Sequence, residues 1–275
     1  MITGATRLAA VIGHPVRHSL SPALHNAAFA AGGLDWSYLA FDVAPGQAGD
    51  ALAAMRTLGL GGLSVTMPHK DDIARAVDVL DPAARALGTA NTVVPMNDGR
   101  LAGHSTDGAG FVGSLVEAGV DPTGMRVAVI GAGGAARSVI DALARVGVDS
   151  IRVINRSADK AAIAAALGAG RGAVGTANDV ASADLVVNAT SVGMGSDDLP
   201  ISPELLRSGQ VVADLVYHPI KTALLRLAAE VGAHPVDGLG MLIHQAVLQQ
   251  VLWTGVRPDP AVMRAAARQE LARRR

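Results

Sequence analysis

The chain of 275 residues contains no cysteine. That excludes disulfides, thiolate metal sites and a cysteine nucleophile. Aromatic residues make up only 3% of it, and none is interleaved with basic residues as a nucleic-acid patch requires. Neither sign of charge dominates, because 23 basic and 24 acidic residues leave a net charge of −1. Its one basic run, Arg273-Arg274-Arg275, reads as a solvated helix end, so no polyanionic partner is expected. The start lacks the charged-then-apolar pattern of a secretory signal, and no apolar run is long enough to span a bilayer. A soluble, cytoplasmic protein without membrane contact is expected. The eight histidines lack the spacing of a metal site, so no metal is expected either.

What the chain does have is apolar content of 50%, enough to bury one large core or two modest ones. The most informative stretch is Val127-Ala128-Val129-Ile130-Gly131-Ala132-Gly133-Gly134-Ala135-Ala136. A short β-type run breaks into glycines and a small-residue helical pattern follows, the order that seats a dinucleotide pyrophosphate on a helix N-terminus. Gly131 permits the tight turn, Gly133 lets backbone approach phosphate, and Ala136 allows close helix–strand packing. The next strand ends in Val153-Ile154-Asn155-Arg156-Ser157. An NAD site usually places an acid there for the ribose 2′-hydroxyl, whereas an arginine suits a 2′-phosphate. Asn155 and Arg156 therefore predict NADP.

Around this unit the pattern alternates strand and helix. Residues 7–12 read as a strand, and Ser21-Pro22 as a helix start with serine at the N-cap and proline at N1. Strands follow at 36–43 and 63–66, with helices over about 46–58 and up to about 87. Two strands, 92–96 and 101–105, flank the hairpin signal Asn97-Asp98-Gly99. A helix from Asp107 to Ala118 leads into strands at 126–130, 150–155, 184–188 and 211–214, with a short one before Asp237 and helices filling the gaps. Helices from Gly240 to Thr254 and over 260–273 have no strands to connect. The predicted fold is α/β with two lobes: an N-terminal α/β substrate domain over 1–106, completed by 238–275, and a Rossmann-type NADP-binding domain over 107–237. The C-terminal helices are expected to return to the first lobe and close a cleft.

Hydride chemistry needs a group that moves a hydroxyl proton. Lys70 follows Gly62-Leu63-Ser64-Val65-Thr66-Met67-Pro68-His69, at the end of a strand and a proline-containing turn. It is either a catalytic lysine or a solvated helix start. Asp107, in His104-Ser105-Thr106-Asp107-Gly108, is either its carboxylate partner or an N-cap. His14 and His69 read as polar loop histidines.

Taken together, the chain resembles the shikimate dehydrogenase family over nearly its whole length. The resemblance rests on His18-Ser19-Leu20-Ser21-Pro22, Ser64-Val65-Thr66-Met67-Pro68-His69-Lys70, Ala90-Asn91-Thr92, Ser105-Thr106-Asp107-Gly108, Gly131-Ala132-Gly133-Gly134-Ala135, Asn155-Arg156-Ser157, Asn188-Ala189-Thr190-Ser191-Val192-Gly193 and Asp237-Gly238-Leu239-Gly240-Met241-Leu242. It implies reversible reduction of 3-dehydroshikimate to shikimate with NADPH. It also implies that Lys70 and Asp107 handle the proton at the reacting oxygen. Ser19 and Ser21 would contact the substrate carboxylate with Tyr217 nearby, and Ser64, Thr66, Asn91 and Gln245 would line the ring-hydroxyl pocket.

On the cofactor side it implies that Gly131, Ala132, Gly133, Gly134 and Ala135 cradle the pyrophosphate. Asn155, Arg156, Ser157 and Lys160 would surround the 2′-phosphate, while Thr190, Ser191, Met194, Gly238 and Met241 would border the ribose and nicotinamide. Many family members have asparagine where this chain has Ser64 and Ser105, and quinate tolerance would arise at the first. The alternatives are a quinate/shikimate dehydrogenase of broader substrate or NAD use, a folate-type methylene dehydrogenase and a non-catalytic NADP sensor. The folate-type class places its lysine in a Tyr-xxx-Lys motif that is absent around Lys70. A monomer or a homodimer is compatible with this architecture.

Overall fold

The structure, a computed structural model, describes residues 2–274. It divides into two compact units, Met1–Thr106 with Gln245–Arg275, and Asp107–His244.

The first unit begins with β1 (Arg7–Gly13), α1 (Ser21–Ala31), β2 (Trp36–Asp42), α2 (Ala48–Leu58) and β3 (Gly62–Val65). It continues with α3 (Lys70–Ala76), β4 (Val79–Leu80), α4 (Pro82–Leu87), β5 (Thr92–Pro95) and β6 (Leu101–His104). The strands form one sheet in the order β2-β1-β3-β5-β6-β4, parallel except for β5, which runs antiparallel to both neighbours. β1 is apolar at successive positions because both its faces are covered. Ala10 and Ile12 pack with Leu52, Met55 and Ile73, whereas Ala9 and Val11 pack with Phe29, Tyr38 and Trp253.

The hairpin between β5 and β6 is wider than Asn97-Asp98-Gly99 alone. Met96 N–H donates to Arg100 O at 2.8 Å, and Gly99 takes φ +84° inside that closure. Helix α1 starts one residue earlier than the Ser-Pro signal suggests. Leu20 is the N-cap, without a side-chain bond, so the Ser21 hydroxyl is not used in capping.

The second unit runs through α5 (Asp107–Glu117), β7 (Arg126–Ile130), α6 (Gly134–Arg145), β8 (Ser150–Ile154), α7 (Ala158–Ala166) and β9 (Gly172–Val174). It continues through α8 (Asp179–Ser182), β10 (Leu185–Asn188), β11 (Val211–Asp214), α9 (Ala223–Glu230) and β12 (His234–Val236). The six strands are all parallel, in the order β12-β11-β10-β7-β8-β9, and the winding reverses between β7 and β10. Again the central strands are buried on both faces. Val127 and Val129 join one core cluster, and Ala128 and Ile130 another.

The strand pattern departs from expectation at β4, inside the span read as helical up to about 87, at β9 and after β10. The edge strand β9 has a Gly-Ala-Val sequence too short and too small to stand out. Between β10 and β11, among the described residues, no α-helix fills the gap. A 3-10 turn at Pro203–Leu205 forms instead, in a segment broken by Gly193 and Gly195 at positive φ and by Pro200 and Pro203.

The long α10 (Gly238–Thr254) starts two residues before the expected Gly240, and α11 (Pro260–Arg273) follows it. From Gln245 onward α10 belongs to the first unit, where the Trp253 indole donates to Val93 O at 3.1 Å. The same ring fills the space over Gly62, where any Cβ would collide with it. Helix α11 packs along α1. Among the described residues, no helix is long and apolar enough to cross a membrane.

Candidate active site

In the first unit, the strand–turn–helix from β3 to α3 places Lys70 at the first position of α3. Its backbone is fixed on two sides. Ala90 N–H donates to Lys70 O at 3.0 Å, and His69 before it is fully buried, with Nε2 donating to Val43 O at 2.8 Å. His69 lies in the turn, as expected from sequence, but is buried and not solvated, with the Val43 carbonyl as partner. His14 does lie at the surface, 2.8 Å from the Asp42 carboxylate. Thr66 stands between β3 and α3 with its methyl against Gly13, where a Cβ would collide with it.

The loop before α1 carries Ser19 and Ser21, tied together by Ser21 N–H donating to Ser19 Oγ at 3.2 Å. Arg274 holds this loop from the end of α11, donating to His18 O at 2.5 Å and Ser19 O at 3.2 Å. Arg274 is exposed, as expected of a solvated helix end, and its guanidinium also bonds two loop carbonyls. Arg275 lies outside the described residues.

Behind these residues runs a buried line of polar side chains. The Tyr38 hydroxyl donates to Ser64 Oγ at 2.6 Å, and Ser64 donates to Gln249 Oε1 at 2.8 Å. Gln249 Nε2 donates to Thr92 Oγ1 at 3.0 Å, and Thr92 in turn donates to Asn91 Oδ1 at 2.9 Å. Asn91 Oδ1 also accepts from Thr106 N–H at 2.9 Å, while its Nδ2 donates to Thr106 Oγ1 at 2.9 Å and reaches Gln245 Oε1 at 3.5 Å. So Ser64, Asn91 and Gln245 are joined, and Asn91 fastens the residue just before Asp107. Burial pushes the Tyr38 phenol well above its ordinary pKa, so it remains a donor.

His25 is stacked on Tyr38 with ring centroids 4.4 Å apart, and its Nε2 lies 3.3 Å from Gln249 Oε1. Burial lowers its pKa to about 4, so it is neutral near pH 7. The unfolded chain takes up this proton near pH 6.5, but the folded chain does so only near pH 4. Stability is therefore lost as pH falls from 6.5 to 4, by on the order of 3 kcal/mol from this group. In denaturant titrations across that range, His25→Gln should have a shallower pH slope than the unsubstituted protein. An unchanged slope would exclude His25 as the source.

In the second unit, the glycine loop sits at the C-terminal end of β7 beside the winding reversal. Gly131 has φ +110°, and a Cβ there would lie 2.9 Å from Ala189 O, so the position accepts only glycine. Around Gly133 and Gly134, by contrast, an added Cβ would meet nothing within 4 Å. Gly133 is the N-cap of α6 without a side-chain bond, and no acid occupies the first turn. Open space, bare backbone N–H groups and the positive end of a helix fit a diphosphate.

Asp107 opens α5, which packs on α6 through Gly108. A Cβ at Gly108 would collide with the Ser138 carbonyl, so glycine allows the start of α5 to lie flat on the helix that the glycine loop begins. At the end of β8, Asn155 Nδ2 donates to Ser157 O at 3.0 Å, and Ser157 caps α7 by accepting from Lys160 N–H. Arg156 and Lys160 are exposed, and Arg156 forms no ion pair among the described residues. Two exposed cations, Arg156 and Lys160, therefore stand just past the end of β8, against a single acid, Asp159, in the first turn of α7.

The loop after β10 is built by Asn188, whose Nδ2 donates to Asp214 Oδ1 at 2.9 Å and whose Oδ1 accepts from Thr190 Oγ1 at 2.7 Å. Thr222 donates to Asp214 at 2.7 Å. Burial raises the Asp214 pKa despite these bonds. Ser191 and Met194 are exposed in this loop, and Tyr217 is half-buried after β11.

Three family models match in order along the chain: the shikimate dehydrogenase substrate binding domain over residues 11–93, shikimate/quinate 5-dehydrogenase over 115–194, and the shikimate 5′-dehydrogenase C-terminal domain over 238–268. A shikimate dehydrogenase (NADP(+)) of Moorella thermoacetica is 46% identical, over 98% of this chain and 95% of that protein. The chain belongs to the shikimate dehydrogenase family. Among solved structures, shikimate 5-dehydrogenase from Thermus thermophilus, in complex with NADP(H) and shikimate, matches with a TM-score of 0.89 at 36% identity, covering 96% of this chain and 99% of that one. Quinate dehydrogenase from Corynebacterium glutamicum in complex with NAD matches with the same TM-score of 0.89 at 34% identity, covering 96% and 99%. Within the shikimate dehydrogenase family, then, the fold alone does not separate the two substrates.

The first unit gathers Lys70, Ser19, Ser21, Ser64, Thr66, Asn91 and Gln245, while Asp107, Tyr217, Gly238, Met241 and the expected cofactor residues belong to the second. Sequence reasoning gives no orienting role to Tyr38, Thr92, Thr106, Gln249 and Arg274 on one side, or to Asn188, Asp214 and Thr222 on the other. Among the described residues, no group of three or more acidic or histidine side chains could hold a metal ion.

Proposed function

We propose that this protein is an NADP-dependent shikimate dehydrogenase, interconverting 3-dehydroshikimate and shikimate in aromatic amino-acid biosynthesis. The observation that carries this reading is the convergence on Lys70. It follows the strand bearing Ser64 and the turn that begins with Thr66, and its carbonyl is bonded to the residue before Asn91. A titratable amine set among neutral hydroxyl and amide groups suits a small polyhydroxy carboxylate.

In this reading Ser19 and Ser21, with Tyr217, take the substrate carboxylate. Thr66, Asn91 and Gln245 take ring hydroxyls, and Ser64 adds an acceptor. NADP, when bound, supplies or accepts the hydride. During oxidation Lys70 as a free amine takes the proton of the reacting hydroxyl; during reduction its ammonium returns that proton to the carbonyl oxygen. Asp107 acts at the same oxygen. Gly131, Ala132, Gly133, Gly134 and Ala135 hold the diphosphate, and Arg156 with Asn155, Ser157 and Lys160 holds the 2′-phosphate. Thr190, Ser191, Met194, Gly238 and Met241 border the ribose and nicotinamide. A cytoplasmic location and a small molecule as the working partner belong to the same reading.

The test is consumption of NADPH by the folded protein with 3-dehydroshikimate, followed by absorbance. Steady turnover is expected, and none at high substrate concentration would sink the reading. Quinate use with NAD is the second reading, favoured by the quinate dehydrogenase likeness. Arg156 opposes it, because its neighbours at the end of β8 are Asn155 and Ser157 and not an acid.

A further inference from the structure

We infer that Gln249 is a specificity-determining positioning residue, which fixes the hydrogen-bond polarity of Ser64 and thereby of the ring-hydroxyl pocket. The inference deepens the function proposed above and rests on it.

Gln249 lies one turn beyond Gln245 on α10 and is 1% exposed. Its amide is fully committed. Oε1 accepts from Ser64 at 2.8 Å and faces His25 Nε2 at 3.3 Å, while Nε2 donates to Thr92 Oγ1 at 3.0 Å and to Asn91 O at 3.3 Å. A glutamine amide offers two donors and an oxygen with two lone pairs. All are used, so only one orientation of the amide works: a flipped one would point N–H groups at Ser64 and oxygen at the Asn91 carbonyl. Neutral His25 supports that orientation by donating from Nε2.

The consequence falls on Ser64. Its single proton goes to Gln249, and one of its two lone pairs is taken by Tyr38, whose raised pKa keeps the phenol protonated. What remains is one lone pair. Ser64 can accept from a ring hydroxyl and cannot donate to one. A serine without Gln249 would rotate and present either polarity, and would discriminate less between ring-substitution patterns. The same amide ties Thr92 and the Asn91 backbone, so the polarity of Ser64 and the placement of Asn91 are set together.

The experiment compares unsubstituted protein, Gln249→Leu, Ser64→Ala and the double variant, measuring kcat and KM for shikimate and for quinate with NADP, and KM for NADP. In Gln249→Leu the ratio of kcat/KM for shikimate over quinate should fall about tenfold, the scale of one misplaced hydrogen-bond partner. The loss should lie in the KM for shikimate, with kcat and the KM for NADP within about threefold of unsubstituted protein. Because Gln249 acts through Ser64, the double variant should be no less selective than Ser64→Ala alone. If Gln249→Leu does not fold, Gln249→Met takes its place in the same cycle. An unchanged ratio in a folded variant, additive losses in the double variant, or parallel losses in kcat and NADP affinity would overturn the inference. If unsubstituted protein turned over neither compound, the functional reading itself would fail, an outcome distinct from these.

Discussion

Lys70→Ala should lower kcat for shikimate oxidation roughly 10²–10⁴-fold, the range lost with a general acid–base group. That corresponds to about 3–5 kcal/mol of transition-state stabilisation at ~1.4 kcal/mol per decade. The KM for NADP should hardly move, because Lys70 belongs to the first compact unit and the glycine loop to the second. The fold should survive the substitution: the side chain is half-buried at a helix start, and the backbone makes the bonds that fix this turn. A KM for shikimate and an unfolding midpoint close to those of the unsubstituted protein would separate lost chemistry from a packing defect. An unchanged kcat would take Lys70 out of the mechanism.

Arg156→Asp should raise the KM for NADP by about 10²-fold while leaving NAD use equal or improved. The substitution removes a charge-assisted bond to the 2′-phosphate, a contribution on the order of 1.5–3 kcal/mol, and adds like-charge repulsion. Because Arg156 is exposed and forms no ion pair among the described residues, its loss should cost the fold little. The measurement is a pair of saturation curves, NADP and NAD, on each protein. Equal NADP affinity in the variant would refute the 2′-phosphate role and reopen NAD as the working cofactor.

The parts of this molecule that can be read from sequence are those whose physics is local. A β-type run ending in Gly131 announces its own turn, because the left-handed backbone and the nearby Ala189 carbonyl admit no side chain. Lys70 and Asp107 stand out because each follows a strand and opens a helix. Errors arise where neighbours in sequence do not decide. Ser21 has the pattern of an N-cap next to proline, but the helix takes its cap at Leu20. The burial of the turn residue His69 goes unseen because nothing in its own segment reveals the Val43 carbonyl. The segment between β10 and β11 reads as helical only by analogy with its neighbours, against its prolines.

The residues that set the polarity of the pocket are the hardest to see. Ser64 and Gln249 are separated by 185 positions, and Trp253 and Val93 by 160. A glutamine on a mostly apolar helix face carries no sign of its partners until the fold brings β3, β5 and α10 together. Arg274 is similar: its carbonyl partners at His18 and Ser19 lie at the other end of the chain. A departure such as Ser64 is visible in the sequence, but its meaning depends on a side chain that no local pattern connects to it.

Four kcat/KM values for the unsubstituted protein decide its substrate and cofactor: shikimate and quinate, each with NADP and with NAD. Shikimate with NADP should exceed each of the other three by at least about tenfold, the discrimination expected from one mismatched hydrogen-bond or charge contact. Quinate with NAD matching or exceeding that value would contradict the account, as would the absence of turnover in all four.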